Sequence, residues 1–238
     1  MICLAFDTVL DTCSAAIWAD GAVLASESVA AARGHAELLF PMLARVLDKA
    51  GLDYPAIDRI GVTIGPGSFT GVRVGVAAAR GLALALGRPA VGISTLEALA
   101  ATAIARDHIL AEAPDAKIAA AIDARRGEIY FQVFATLPNS SSLTAMTSPE
   151  VVAPEEAARQ LPDGPVVIVG SGAALVYAAL GRANIRIEAS PGVIDPGVLA
   201  GVVAARTIEA DAPPPSPLYL RAPDAKLPGE ARHDRTEG

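Results

Sequence analysis

The chain carries one ordered pattern twice. Near its start, ICLAF ends in Asp7, a turn at TVLDTC follows, and SAAIWA and AVLASESV form a hairpin about Asp20-Gly21. HAELLFPMLARVLDKAGL has apolar residues at Leu39, Leu43, Val46 and Ala50, a helix face that closes at Gly51. IDRIGVTIG reads as a strand, a glycine turn follows, and TGVRVGVAAARGLALALG reads as a helix ending at Gly87. PAVGI and STLEALAATAIA add a strand and a helix, the latter with Ser94 and Glu97 spaced as a capping box. From residue 117, KIAAAID ends in Asp123, ARRG turns into EIYFQVFAT, and a third strand is expected near 143–152. PEEAARQL is helical, and PVVIVG runs into Gly170-Ser171-Gly172 before a helix from about 173 to 180. A duplicated strand, Asp, hairpin, helix, strand, Gly-x-Gly, helix restricts the chain to two α/β lobes, each a mixed sheet with flanking helices. The lobes are placed at 1–105 and 106–221, with 222–238 expected to be a disordered tail.

Composition narrows the function classes. The net charge of −7 disfavours a chain that grips nucleic acid by itself. Cys3 and Cys13 lie apart around the first hairpin and read as free buried thiols. Two cysteines and three histidines (His35, His108, His233) do not make a metal site by spacing, so neither metal nor cofactor is expected. The longest apolar stretch, from Val74 to Leu86, contains Arg80 and is short for a membrane span, and the first apolar run is broken by Asp7. A soluble, cytoplasmic protein without membrane contact is the expectation.

Two features could carry chemistry. Residues 65–75 read GPGSFTGVRVG: Gly65 and Gly67 bracket a proline, and Ser68 or Thr70 could cap the next helix. Such a turn either cradles an anion at the helix N-terminus or simply bends the chain. It matches neither GxxxxGK[ST] nor GxGxxG. Asp7 and Asp123 each end a first strand, where two carboxylates could flank a cleft and orient a metal–phosphate group. Alternatively, each caps its own turn. Asp7, His35 and Ser68 could be recruited into a hydrolase triad, but no G-x-S-x-G elbow is present. Arg125-Arg126 reads as a solvated turn.

LAFDTVLDTCSAAIW, RGHAELLFPMLARVL, GPGSFTGVRVG, GISTLEALA and PLYLR resemble the bacterial TsaB (YeaZ) family, from the N-terminus to about Arg221. The resemblance implies the actin/hexokinase/heat-shock-ATPase (ribonuclease H-like) fold. It also implies kinship with TsaD, the catalytic subunit that puts a threonylcarbamoyl group on the adenosine beside the tRNA anticodon. TsaB-like chains are expected to be non-catalytic: partners of a TsaD-like subunit and a TsaE-like ATPase, homodimeric when alone, meeting tRNA only through the complex. TsaD-like sequences carry HxxxH after the fifth strand, where Thr95 and Leu99 stand here. Neither side chain can hold a nucleotide-bound metal. The resemblance thus makes Asp7, Asp123, Gly65, Gly67 and Ser68 a vestigial phosphate site, and Val9-Leu10 stand where a more polar turn is common. An ATPase or peptidase acting on its own is the alternative.

Between Thr70 and Leu86 only Arg73 and Arg80 are charged, so this helix is apolar all round and needs covering all round. Gly75, Ala78, Ala79 and Ala83 would admit a second helix closely. With Leu38 and Met42 of the preceding helix, the residues Val72, Arg73, Val76, Ala79, Arg80 and Ala83 are the expected partner surface. The other possibility is that residues 100–210 of the same chain cover it.

Overall fold

The computed structural model describes residues 1–32, 34–106, 115–136, 143–180, 185–187, 192–209 and 212–221. The tail expected at 222–238 lies outside them.

The first sheet is built from β1 (Ile2–Asp7), β2 (Thr12–Ala19), β3 (Ala22–Ala30), β4 (Arg59–Thr63) and β5 (Ala90–Ile93), in the order β3-β2-β1-β4-β5. β1, β2 and β3 are antiparallel neighbours, while β4 and β5 run parallel to β1. The β2–β3 turn uses Asp20 and Gly21 at positive φ (49° and 91°), the conformation a two-residue hairpin loop needs. The second sheet repeats the plan. β6 (Lys117–Asp123), β7 (Ile129–Thr136), β8 (Leu143–Ala145), β10 (Val166–Val169) and β11 (Ile185–Ile187) run in the order β11-β10-β6-β7-β8, and β9 (Glu150–Val152) also pairs with β7. Two mixed sheets of one topology are the duplication expected from the sequence.

Helices fill three layers. α1 (His35–Ala50) and α2 (Phe69–Leu86) cover the outer face of the first sheet, where Leu4, Phe6, Ile60 and Val62 meet Leu39, Met42, Leu43 and Ala79. Between the sheets lie α3 (Thr95–Arg106) and α6 (Pro196–Ala205); Ala5, Ala16, Ile93, Leu96, Leu199 and Val203 share a core there with Ile118, Ala120 and Ile122. α4 (Pro154–Gln160) and α5 (Ala173–Ala179) close the far side of the second sheet over Ala121, Ile129 and Phe131.

The helices cross the 105/106 division that the strands respect. α3, from the first half, packs on β6, β7 and β10, whereas α6, from the second, packs on β1, β2 and β4. α6 is held at both ends. Asp195 caps its N-terminus by accepting from Gly197 N (2.9 Å) and Val198 N (3.3 Å). At its C-terminus the Arg59 guanidinium donates to the carbonyls of Val203 (2.8 Å), Ala204 (3.1 Å) and Arg206 (2.8 Å). Half of the expected capping box is present: Glu97 N donates to Ser94 Oγ (3.0 Å), while the Glu97 carboxylate turns instead to Arg206.

Candidate functional site: a closed turn and an outward helix face

Asp7 ends β1 with its side chain fully buried. Its Oδ1 accepts from Thr63 Oγ1 (2.5 Å) and from the Val9 amide (3.1 Å). Its Oδ2 has no partner, and neither do the buried hydroxyls of Thr12, Ser14 and Thr95. Burial pushes the Asp7 carboxyl above its usual range, and the bonds from Thr63 and Val9 only partly offset this. Asp7 is thus committed inward.

The glycine turn is pressed directly against Thr8 and Val9. Ser68 N donates to Val9 O (3.0 Å), and Thr8 Oγ1 donates to Gly71 O (2.8 Å). A Cβ on Gly67 would lie 2.4 Å from Val9 Cγ1, and one on Gly71 would lie 1.9 Å from the Thr8 carbonyl oxygen. Val9 is 1% exposed. The space a phosphate would need between the two turns is therefore occupied by a valine, and the Val9 amide points back at Asp7. These residues do not fit a nucleotide phosphate or its metal. The glycines serve close packing, and Ser68 caps α2 by accepting from Gly71 N (3.2 Å).

Asp123 is not the counterpart of Asp7. Asp7 stands level with Thr63, two residues before Gly65, as the Thr63 bond shows. In the second sheet Ala120 pairs with Val169, one residue before Gly170, so Asp123 falls three residues farther along. Strand alternation also puts Asp123 on the outer face with Ala119 and Ala121, whereas Asp7 shares the inner face with Ala5. Asp123 instead caps its own turn, accepting from Arg125 N (2.7 Å). The expectation of two carboxylates flanking one cleft is corrected: equal distance from the start of a strand is not equal register.

A hydrolase triad is not assembled either. His35 Nε2 is bonded to Leu10 O (3.2 Å), and Ser68 and Asp7 have the partners given above. Among the described residues, no three His, Cys, Asp or Glu side chains are grouped to hold a metal ion; His108 and His233 lie outside those residues. Cys3 and Cys13 are free and buried.

On α2 the expected surface divides. Val72, Val76 and Ala79 are buried, the first two against Val9 and the third against α1, and Met42 is buried in the same outer core. They cannot meet a partner. A helix apolar on every side has no sequence contrast to show which stripe its own sheet takes. Among the described residues the cover of Val72, Val76 and Ala79 comes from α1 and the Thr8–Val9 turn, not from the second half of the chain. Arg73 and Arg80 are exposed, and Leu38 and Ala83 are half-buried. The outward face adds residues that the sequence did not single out: Phe40 and Phe69 are 49% and 42% exposed, Ala77 is exposed, and Leu84 is 87% exposed. α2 is also long and apolar enough, at 18 residues and a mean hydropathy of 1.4, to cross a membrane by length and composition alone. In the fold it lies along β4 and β5.

Residues 28–168, more than half of the chain, match the family model for TsaD, tRNA N6-adenosine threonylcarbamoyltransferase. The chain is 36% identical over 173 residues to the tRNA threonylcarbamoyladenosine biosynthesis protein TsaB of Escherichia coli, covering 71% of each. The Haemophilus influenzae protein of the same name is 35% identical over 175 residues, again 71% of each. The solved structure of YeaZ from Pseudomonas aeruginosa superposes with a TM-score of 0.75 at 32% identity, over 92% of this chain and 99% of that one. The chain belongs to the TsaB (YeaZ) family. A stretch of 67 residues is also 48% identical to the tRNA N6-adenosine threonylcarbamoyltransferase of Erythrobacter litoralis, covering 28% of this chain and 20% of that enzyme. Where the TsaB resemblance set Thr95 and Leu99 against the metal-binding histidines of TsaD, Thr95 is fully buried and Leu99 is 4% exposed within the inter-sheet core.

Proposed function

We propose that the chain is a non-catalytic, complex-forming subunit in the synthesis of threonylcarbamoyladenosine on tRNA. In this reading it binds a TsaD-like transferase, acts together with a TsaE-like ATPase, and pairs with itself when alone. The observation that carries the reading is Val9 in the space beside Gly67, because a lobe whose phosphate approach is filled by its own core keeps the fold without the nucleotide chemistry. The relatives' name supplies the pathway. The outward face of α1 and α2, with Phe40, Ala77 and Leu84 beside Arg73 and Arg80, supplies a surface of the kind that protein partners cover.

The test uses the purified chain, alone and with the transferase encoded in the same genome. Alone, it should neither bind ATP with magnesium in a calorimeter nor transfer threonylcarbamoyl to tRNA; with the transferase it should co-elute on sizing and support transfer. Turnover by the lone chain would reject the reading.

A further inference from the structure

The exposed start of α2 meets the C-terminal segment 212–221 in one cluster. The Arg73 guanidinium carbon lies 3.5 Å from the centroid of the Phe69 ring and 5.9 Å from that of Tyr219. The two rings are 5.2 Å apart and tilted by 36°. Arg73 Nε donates to the Tyr219 hydroxyl at 2.9 Å. Tyr219 itself is tethered on both sides. Leu218 N donates to Ile64 O (2.8 Å) in the first half, and Arg221 donates to Ala124 O (3.0 Å) and pairs with Glu128 in the second.

Three features of this cluster point one way. Arg73 is exposed and stacked, with its Nε already occupied, so its planar fork is held in one orientation before anything binds. Among the described residues no carboxylate pairs with it, and α2 has no acidic residue. Phe69 and Tyr219, at 42% and 45% exposure, offer apolar area beside the guanidinium. A charged, preformed centre ringed by apolar surface is how energetic anchors of protein interfaces are built. We propose that the Phe69–Arg73–Tyr219 cluster is the anchor of the partner surface and receives a carboxylate side chain of the transferase. That carboxylate takes the two Nη groups of Arg73 in a bidentate pair. The inference rests on the reading of this face as a partner surface and adds the partner's chemistry and a contribution from the C-terminal segment. An RNA phosphate fits less well, because the chain carries −7 and only Arg73 and Arg80 are basic on α2. On its own α2 a second copy would bring the same two arginines and no acid.

The experiment compares wild type with Arg73→Gln, Arg73→Lys, Tyr219→Leu and Leu84→Glu. Transferase binding is measured by calorimetry at low and high salt, self-association by sedimentation equilibrium, and tRNA binding by the free chain by gel shift. All three positions are exposed, and circular dichroism checks that each variant is folded. Arg73→Gln should weaken transferase binding tenfold or more, flatten its salt dependence, and leave self-association within twofold. Arg73→Lys should recover only part, and Tyr219→Leu should weaken binding severalfold. If Arg73→Gln binds normally while Leu84→Glu abolishes binding, the anchor is wrong and the surface stands. If Leu84→Glu and Arg73→Gln both bind normally, the surface itself is wrong. Equal losses of self-association and transferase binding would assign the cluster to a second copy, and a tRNA shift lost in Arg73→Gln would assign it to RNA; either overturns the proposal.

Discussion

Val9 and Gly67 share one volume: a Cβ on residue 67 would stand 2.4 Å from Val9 Cγ1 and 3.1 Å from its carbonyl oxygen. Gly67 also has φ +152°, where a side chain adds strain. Gly67→Ala should therefore destabilise the protein by about 2–3 kcal/mol in a denaturant melt. Combining it with Val9→Ala should recover part of that loss, because the second change removes the clashing methyl. The coupling in the double-mutant cycle should be about 1 kcal/mol. Additive effects would mean that the two residues do not compete for the space.

The buried Asp7 carboxyl makes stability depend on pH in a definite direction. Its folded pKa lies above the unfolded one, so the folded state holds the proton more tightly. The resulting stability is complete below the unfolded value, near pH 4, and is lost as pH rises through the folded pKa. Asp7→Asn keeps an acceptor for Thr63 and Val9 and adds a donor where Oδ2 has no partner. The variant should gain on wild type as pH is raised from about 4 to about 8, at up to about 1.4 kcal/mol per pH unit inside the titration window. A pH-independent difference in melting would show that Asp7 does not titrate differently on folding.

Charge placed on α2 should separate the two stripes. Val76→Glu or Ala79→Glu buries an unpaired carboxylate among Val9, Val72 or the α1 side chains and should cost several kcal/mol, leaving little folded protein. Leu84→Glu lies in water and should change stability by less than about 0.5 kcal/mol. It should nonetheless abolish co-elution with the transferase. Folded, fully soluble Val76→Glu would contradict the packing described here.

Arg59 serves the end of α6 rather than any ligand. Arg59→Met leaves the carbonyls of Val203, Ala204 and Arg206 without their cation and should cost about 2–3 kcal/mol. Arg59→Lys, with a point charge in place of a planar fork, should restore only part of this. Equal stability of the methionine variant in guanidinium would place the hold on α6 elsewhere.

Much of the architecture was legible because its signals are local. Asp20-Gly21, Gly51, Ser68, Gly87 and Ser94 act within one turn of the residues they punctuate, and the duplicated order needs no knowledge of packing. Register is a different kind of fact. That Asp7 is level with Thr63 while Asp123 lies beyond the partner of Val169 depends on how strands slide past one another, and a shared motif does not encode it. The inward stripe of α2 failed for a related reason: Val72, Val76 and Ala79 differ little in polarity from Ala77 and Leu84, so only the neighbours decide which are covered. The Phe69–Arg73–Tyr219 cluster joins positions 146 residues apart, and PLYLR alone does not show where Tyr219 stacks.

Because α6 is made long after the first sheet that it covers, the order of synthesis matters. When β5 has left the ribosome, all five strands of that sheet exist, yet the face bearing Ala5, Ala16 and Ile93 is bare until Leu199 and Val203 are made. At ordinary elongation rates this interval is on the order of ten seconds. The nascent first half must therefore wait with an apolar face exposed, a natural client for holding chaperones. A chain interrupted before α6 is made yields an aggregating fragment rather than a working half.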